Sequence, residues 1–142
     1  RSVRRACIPS ANGHMSARAL AKFYSAMTCS SDSKLMDLGP IMDSIQAPRI
    51  ERSDRFDAFM ASAPTSLYAL GFRLYRFRRN RDGSRVYGFG HPGLGGSFGV
   101  TIPEEDFAIG ITKSYLTADN AAIHEIVQHA CDYLDLTREM DT

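Results

Sequence analysis

The chain has 142 residues, of which 44% are hydrophobic and 23% are charged, and its net charge is +1. This size suits one domain with its own hydrophobic core. The balanced charge provides no field that would select nucleic acid or an anionic membrane. Because the apolar runs are too short to cross a bilayer, we expect no membrane span.

The three cysteines are Cys7, Cys29 and Cys131. Their number is odd and their spacing fits neither a zinc site nor a disulfide framework. This usage favours an intracellular location, cytoplasmic or organellar, over a secreted one.

The first half of the chain predicts helices. Ser16 is placed to cap a helix over residues 17–27. A second helix is expected between Pro40 and Pro48, followed by irregular structure over residues 49–66. The apolar residues of the first helix recur at the spacing of one buried face, and they are Leu20, Phe23, Tyr24 and Met27.

The second half predicts strands and a closing helix. Asp82-Gly83 is a strong hairpin turn. A change of apolar phase between Leu74 and Tyr75 suggests a bulge, and the small residues Ala108 and Gly110 would let a helix approach closely. The expected strands are 71–77, 86–89, 97–102 and 107–112, and a long terminal helix is expected from near Thr117, with Ile123, Ile126, Val127, Ala130 and Leu134 on its buried stripe.

Adjacent strands joined by short turns form antiparallel sheets. We therefore predict an α+β fold, with an antiparallel sheet of three to five strands and helices packed on it.

Residues 88–100, GFGHPGLGGSFGV, are the densest glycine run in the chain. They match G-x-G-x-x-G, but a dinucleotide site needs a helix directly after the glycines. Here a strand pattern follows and Pro92 interrupts the motif. Two interpretations remain open: the glycines shape strands beneath a packed helix, or they bring backbone N–H groups close to a substrate.

The segment 91–96, His-Pro-Gly-Leu-Gly-Gly, resembles the third motif of the serine β-lactamase and penicillin-binding-protein superfamily, in its class C-like and esterase-like branch. Residues 8–27 resemble a helical segment of the same branch, and residues 103–112 resemble its terminal hairpin. The three segments occur in the order that the family has in its C-terminal part. The resemblance implies the C-terminal part of a β-lactamase/transpeptidase-like fold.

The resemblance also implies site residues. His91 would be catalytic, beside the family's tyrosine and the substrate carboxylate. The N–H of Leu94 would be an oxyanion-hole donor, and Gly93 and Gly95 would make room for the substrate. The substrate would be a small acyl, ester or peptide compound, with no cofactor and no metal.

The sequence departs from the family pattern at the nucleophile. No Tyr-x-Asn occurs, and Ser31-x-x-Lys34 lies in a polar loop, where we interpret it as a chance match. We therefore expect residues 1–142 to form a single partial β-lactamase-like domain, inactive alone, that needs the remainder of its own polypeptide or another protein chain. The alternative is a non-catalytic β-lactamase-like module with a structural or protein-interaction role.

Two further patterns carry weaker signals. His124 and His129 are five residues apart, which rotates them by about 140° around a helix, so they cannot bind one metal ion from one face. Residues 72–85 carry six arginines between aromatic residues. Such a hairpin can contact nucleic acid, contact a partner protein or simply be solvated, and the low net charge argues against nucleic acid.

Overall fold

A computed structural model describes residues 5–8, 13–28, 43, 68–93 and 95–139. The second predicted helix and the irregular region 49–66 lie outside these residues, apart from residue 43. In chain order the described elements are α1 (Ala17–Thr28), β1 (Tyr68–Ala69), β2 (Phe72–Arg79), β3 (Arg85–Pro92), β4 (Phe98–Ile102), β5 (Phe107–Ile111), α2 (Ala121–Tyr133) and β6 (Leu136–Glu139), with a 3-10 turn, Pro103–Glu105, between β4 and β5.

The strands form one antiparallel sheet in the order β1-β2-β3-β4-β5. The C-terminal strand β6 pairs with β2 over residues 76–79, and β1 pairs with the same edge of β2 over residues 72–73. Short turns connect β2 through β5, so each of these strands lies beside its neighbour in sequence. The predicted α+β class with an antiparallel sheet and packed helices is confirmed.

Both faces of the sheet are covered. Because neighbouring residues of a strand point to opposite faces, Leu74 lies on one face and Tyr75 on the other. The two buried clusters follow this division. Under α1 they include Tyr24, Met27, Leu74 and Phe89, and under α2 they include Tyr75, Phe77, Val86, Val100, Ile102, Cys131 and Leu136.

The predicted bulge in β2 is wrong. The register between β2 and β3 runs without interruption from Arg73 opposite Gly90 to Arg78 opposite Arg85. The apolar phase changes between Leu74 and Tyr75 because both faces of the sheet are buried, and not because the strand contains an extra residue.

Helix α1 begins where the sequence predicts. The Ser16 hydroxyl accepts a hydrogen bond from the N–H of Ala19 at 3.2 Å, as expected of a helix cap. Tyr24 and Met27 are buried. Phe23 is 47% exposed, contrary to the prediction. It lies at the margin of the apolar stripe and packs edge-on against Tyr24 at 5.3 Å between ring centroids.

The close approach of a helix to Gly110 is confirmed. A Cβ atom at Gly110 would lie 2.6 Å from the carbonyl oxygen of Ala17 and 2.6 Å from the backbone nitrogen of Ala21. Gly99, beside it on β4, lies directly beneath the ring of Tyr24. Part of the glycine run therefore serves helix packing.

The other two strand glycines serve the opposite face. Gly88 pairs with Tyr75, and Gly90 lies between Arg73 and Val100. The rings of Tyr75 on β2 and Phe98 on β4 meet across β3 at 5.6 Å in an edge-to-face arrangement. They can do so because Gly88 and Gly90 present no side chain between them.

The C-terminal region differs from the prediction. Helix α2 begins at Ala121, four residues after the expected start, and ends at Tyr133. Ile126 of its predicted stripe is 45% exposed. Asp135 then adopts a positive φ of 56°, and the chain returns as β6. This strand was not predicted, because its residues LTRE carry no apolar alternation and become a strand only by pairing with β2.

Candidate functional site

His91 lies at the end of β3, and its side chain is exposed. It pairs with Gly99 on β4. Its ring Nδ1 lies 2.7 Å from the carbonyl oxygen of Pro92. Because a carbonyl oxygen only accepts, this hydrogen bond requires a proton on Nδ1, and in the neutral imidazole the lone pair is then on Nε2. No described residue makes a hydrogen bond to Nε2.

Two tyrosines surround this position. The Tyr68 ring lies 6.1 Å from the His91 ring between centroids, tilted by 49°. Tyr24 of α1 packs over Gly99, the residue that pairs with His91. Burial raises the pKa of Tyr24, and the nearby His91 backbone opposes this only in part, so the hydroxyl is neutral at physiological pH.

A tight turn follows His91. The N–H of Gly93 donates to the carbonyl oxygen of Ser97 at 2.6 Å, and the N–H of Gly96 donates to Gly93 at 3.1 Å. Gly95 and Gly96 have φ values of 78° and 101°, which favour glycine. Leu94, the expected oxyanion-hole donor, lies outside the described residues.

The glycines of this turn differ in their surroundings. Gly93 is exposed, with only Ser97 close to the position of a Cβ atom, at 3.2 Å from its carbonyl oxygen. Gly95 lies against the side chain and Cα of Leu116. Gly96 lies against Asn120 and Ile123. Among the predicted substrate-binding residues, Gly93 is therefore exposed beside His91 but lies close to Ser97, and Gly95 packs against Leu116 in the loop after β5.

An apolar cleft of about 240 Å³ lies behind this loop. Its apolar lining includes Ile111, Ile123 and Ile126, and Lys113, Thr117 and Asp119 also line it. The ammonium group of Lys113 donates to the Thr117 hydroxyl at 2.7 Å and to the carbonyl oxygen of Asp119. The lysine thus holds the loop before α2 in place, and its charge does not point to a ligand.

Four of the six arginines in the arginine-rich hairpin form ion pairs with glutamates. Arg78 and Arg85 both pair with Glu139, at 2.5 Å and 3.1 Å. Arg79 pairs with Glu105 at 2.6 Å and with Glu104 at 3.4 Å. Pairs between long, exposed side chains contribute little stability, but they occupy the guanidinium groups that a phosphate backbone would need.

Within the ranges that the structure describes, no three His, Cys, Asp or Glu side chains gather in a way that could hold a metal ion. Neither α1 nor α2, the helices described, is long and apolar enough to span a bilayer.

The chain was compared with known protein families, curated proteins and solved structures, and it matches none of them. The resemblance of residues 91–96 to the β-lactamase-related motif therefore stays a prediction.

One cluster was missed by the sequence prediction. Tyr75 is buried between the guanidinium groups of Arg73 and Arg138, which lie 5.6 Å and 5.2 Å from its ring centroid. Arg73 and Tyr75 are two residues apart on one strand, so their shared face is visible in the sequence. Arg138 comes from β6, which no local pattern indicated.

Proposed function

We propose that this chain supplies the His-Pro-Gly strand of a serine β-lactamase-related acyl hydrolase, acting on an ester, amide or peptide substrate. The observation that carries the proposal is the state of His91. Its imidazole is exposed at the end of a central strand, and the hydrogen bond from Nδ1 to Pro92 leaves Nε2 of the neutral ring as an acceptor. Such a group can accept a proton or orient a hydroxyl.

The surroundings of His91 support the same role. Gly93 is exposed at the same end of the sheet, and as a glycine it lets a substrate acyl group come close to the backbone. The backbone of His91 is held by its pairing with Gly99, which in turn lies beneath the ring of Tyr24 of α1. A histidine on a rigid strand can be positioned more accurately than one on a loop.

The described residues do not complete a catalytic site. No described serine or threonine hydroxyl makes a hydrogen bond to the His91 ring, and the Ser97 hydroxyl accepts from the N–H of Lys113 at 3.3 Å. Ser31 and Lys34 lie outside the described residues. Because we interpret Ser31 as a chance match, the nucleophile in this proposal comes from the remainder of the polypeptide or from another chain.

The test is hydrolysis of a chromogenic ester and a chromogenic β-lactam by the longest polypeptide that contains this chain. We expect turnover, labelling of one serine by a fluorophosphonate probe, and a fall in kcat/KM of about 10²-fold or more in His91→Gln. His124→Gln, on the exposed face of α2, is the matched control and should keep full activity. Residues 1–142 alone should not be labelled.

Two outcomes would refute the proposal. The first is that the longer polypeptide hydrolyses neither substrate class. The second is that it does so at the same rate in His91→Gln as in the parent protein.

A non-catalytic interaction module is the second candidate, favoured by one feature of β5. This strand pairs with β4 on one side only among the described strands, and it carries no charged residue over Phe107–Ile111. An uncharged free edge can accept another strand. In antiparallel sheets, hydrogen-bonded and non-hydrogen-bonded residue pairs alternate along each pair of strands. Gly93 and Ser97 form a hydrogen-bonded pair between β3 and β4. Counting from this pair along β4 and across to β5, the N–H groups of Ala108 and Gly110 point away from β4, toward the free edge.

Ala108→Pro separates this candidate from the hydrolase. The substitution removes an outward N–H group and should abolish strand addition, measured as association in sedimentation velocity. It should leave hydrolysis unchanged. Its matched control is Ala122→Pro, which removes a backbone N–H from the exposed first turn of α2, far from the free edge. If the parent polypeptide neither hydrolyses the substrates nor associates, both candidates fail.

A further inference from the structure

We propose that β5 is a homodimer interface, at which the Phe107–Ile111 strands of two copies of this chain pair antiparallel about Ile109 and continue the sheet. The inference rests on the second candidate function, strand addition at β5, and it identifies the added strand and its register. Its support comes from the unprotected edge of β5, from backbone groups that complement their own copy, and from the charges that flank the strand.

The edges of the described sheet differ in their protection. On the β2 side, the edge consists of β1, which has 2 residues, and of β6, which carries Arg138 and Glu139. Short strands and charged side chains keep an edge from pairing with another chain. β5 has 5 residues, and none of them is charged or a proline. Each of them is half-buried, whereas Gly99–Ile102 of the neighbouring β4 are buried, so solvent reaches β5.

The backbone groups on the free edge of β5 are complementary to themselves. The N–H groups of Ala108 and Gly110 point away from β4, and neither donates to a backbone oxygen of the described residues. In an antiparallel pair centred on Ile109, Ala108 faces Gly110 of the second copy, and the facing residues exchange both of their N–H···O bonds. A two-fold axis repeats this exchange on the other side of Ile109. Every outward backbone group within the strand is then satisfied, and the interface is closed.

The same register matches the side chains. Ile109 meets its own copy and Phe107 meets Ile111 of the second copy, in the non-hydrogen-bonded pairs that bring facing side chains closest together. Phe107 and Ile109 pack on the face beneath α2, and Ile111, on the same face, lines the apolar cleft. The ring of Phe107 from the second copy therefore lies at the mouth of that cleft and covers apolar surface that is half-exposed in the single chain.

The charges at the ends of β5 favour the antiparallel direction. Glu104, Glu105 and Asp106 come directly before the strand, and Lys113 follows it. A parallel pair would place the acidic turns of the two copies side by side, where like charges repel each other. The antiparallel pair keeps these turns apart and places each of them near the lysine end of the other copy.

The first test is sedimentation velocity of the chain at increasing concentration. We expect a monomer–dimer equilibrium with a dissociation constant in the micromolar range, because one strand pair buries less area than a standard interface. Ala108→Pro should stay monomeric, because proline has no N–H to donate across the edge. Ala108→Ser is the matched control. It keeps the N–H at the same position and should dimerise as the parent chain does, and urea unfolding checks that each variant is folded.

The second test identifies the register by cysteine cross-linking. Cys7 and Cys29 are first replaced by serine, and the buried Cys131 is kept. In this background, Ile109→Cys should form a disulfide-linked dimer on oxidation with copper phenanthroline. The facing residues of a non-hydrogen-bonded pair have Cα atoms about 4.5 Å apart, which a disulfide can bridge.

Ile111→Cys is the matched control for the cross-link. Ile111 lies on the same face of the same strand as Ile109. In the proposed register, however, Ile111 faces Phe107 of the second copy, and its own counterpart lies more than about 13 Å away. This variant should therefore not cross-link, because a disulfide requires Cα atoms within about 7 Å.

The outcomes separate this inference from the function on which it rests. If Ala108→Pro abolishes association but Ile111→Cys cross-links as readily as Ile109→Cys, strand addition stands and the register proposed here is overturned. If Ala108→Pro associates as strongly as the parent, β5 is not the interface. A chain that is monomeric at every concentration overturns the homodimer, whatever hydrolase activity the longer polypeptide has.

Discussion

The contact between Gly110 and α1 offers the sharpest test of the packing. In Gly110→Ala the new Cβ atom would lie 2.6 Å from two backbone atoms of α1, the carbonyl oxygen of Ala17 and the nitrogen of Ala21. Ordinary contact begins at 3.4 Å. Neither main-chain atom can rotate away, so α1 has to move outward by roughly 0.8 Å, enough to forfeit a quarter to a half of each contact's dispersion energy.

This displacement has a predictable cost. Overpacking of this kind destabilises by about 1–3 kcal/mol, and the lower entropy of the unfolded alanine chain offsets about 0.4–1 kcal/mol of it. We expect the free energy of unfolding to fall by about 1–2 kcal/mol and the Tm by about 4–8 °C. The moved helix should also expose Tyr24 and Met27, which now lie 5% and 1% exposed against Phe89.

The assay is urea unfolding followed by circular dichroism and tyrosine fluorescence. Gly13→Ala is the matched control, because among the described residues its Cβ atom meets only the flexible end of Met15, at 3.0 Å. It should be neutral or slightly stabilising. If Gly110→Ala is as stable as Gly13→Ala, α1 does not pack on β5 as described and the reasoning is refuted.

Three further results are expected. Phe89→Ala, at a position with no exposed surface, should lower the free energy of unfolding by about 3–5 kcal/mol in the same urea assay. Cys131 should react with a thiol reagent far more slowly than the exposed Cys7, since burial raises the pKa of Cys131 and blocks access; comparable rates by mass spectrometry would contradict this. Burial alone would raise the pKa of Glu139, but the hydrogen bond and charge of Arg78 outweigh it and hold that pKa below the ordinary 4.5. The contribution of the ionised Glu139 to stability is therefore complete above pH 4.5 and is lost as the pH falls through its lowered pKa. Glu139→Gln should flatten the acid side of a plot of unfolding free energy against pH. An unchanged plot would contradict the pairing.

The sequence predicted those elements whose hydrogen bonds join residues that are close together in the chain. The Ser16 cap, the Asp82-Gly83 turn and the strand over 107–111 depend on hydrogen bonds and backbone preferences within a few positions. The turn is held by the N–H of Gly83 donating to Arg79 at 2.9 Å. Sequence reasoning therefore placed these elements, and it also located His91 at a strand end.

Elements with distant partners were not predictable in this way. Residues 136–139 form a strand because the free edge of β2 offers them hydrogen bonds, and this edge lies about sixty residues earlier in the chain. The same pairing brings Glu139 to Arg78 and Arg138 to Tyr75. No periodicity in the C-terminal residues contains that information.

The features of the candidate site also fall into two groups, those set by nearby residues and those set by distant ones. The sequence by itself determined that a histidine would stand at the end of a glycine-rich strand, because strand and turn preferences act over short distances. Only the tertiary structure decided which nitrogen of His91 is left as an acceptor, which arginines are neutralised and which tyrosine hydroxyl is buried without a partner. These properties depend on desolvation and on contacts between strands, and both arise only when the sheet and its two helices have assembled.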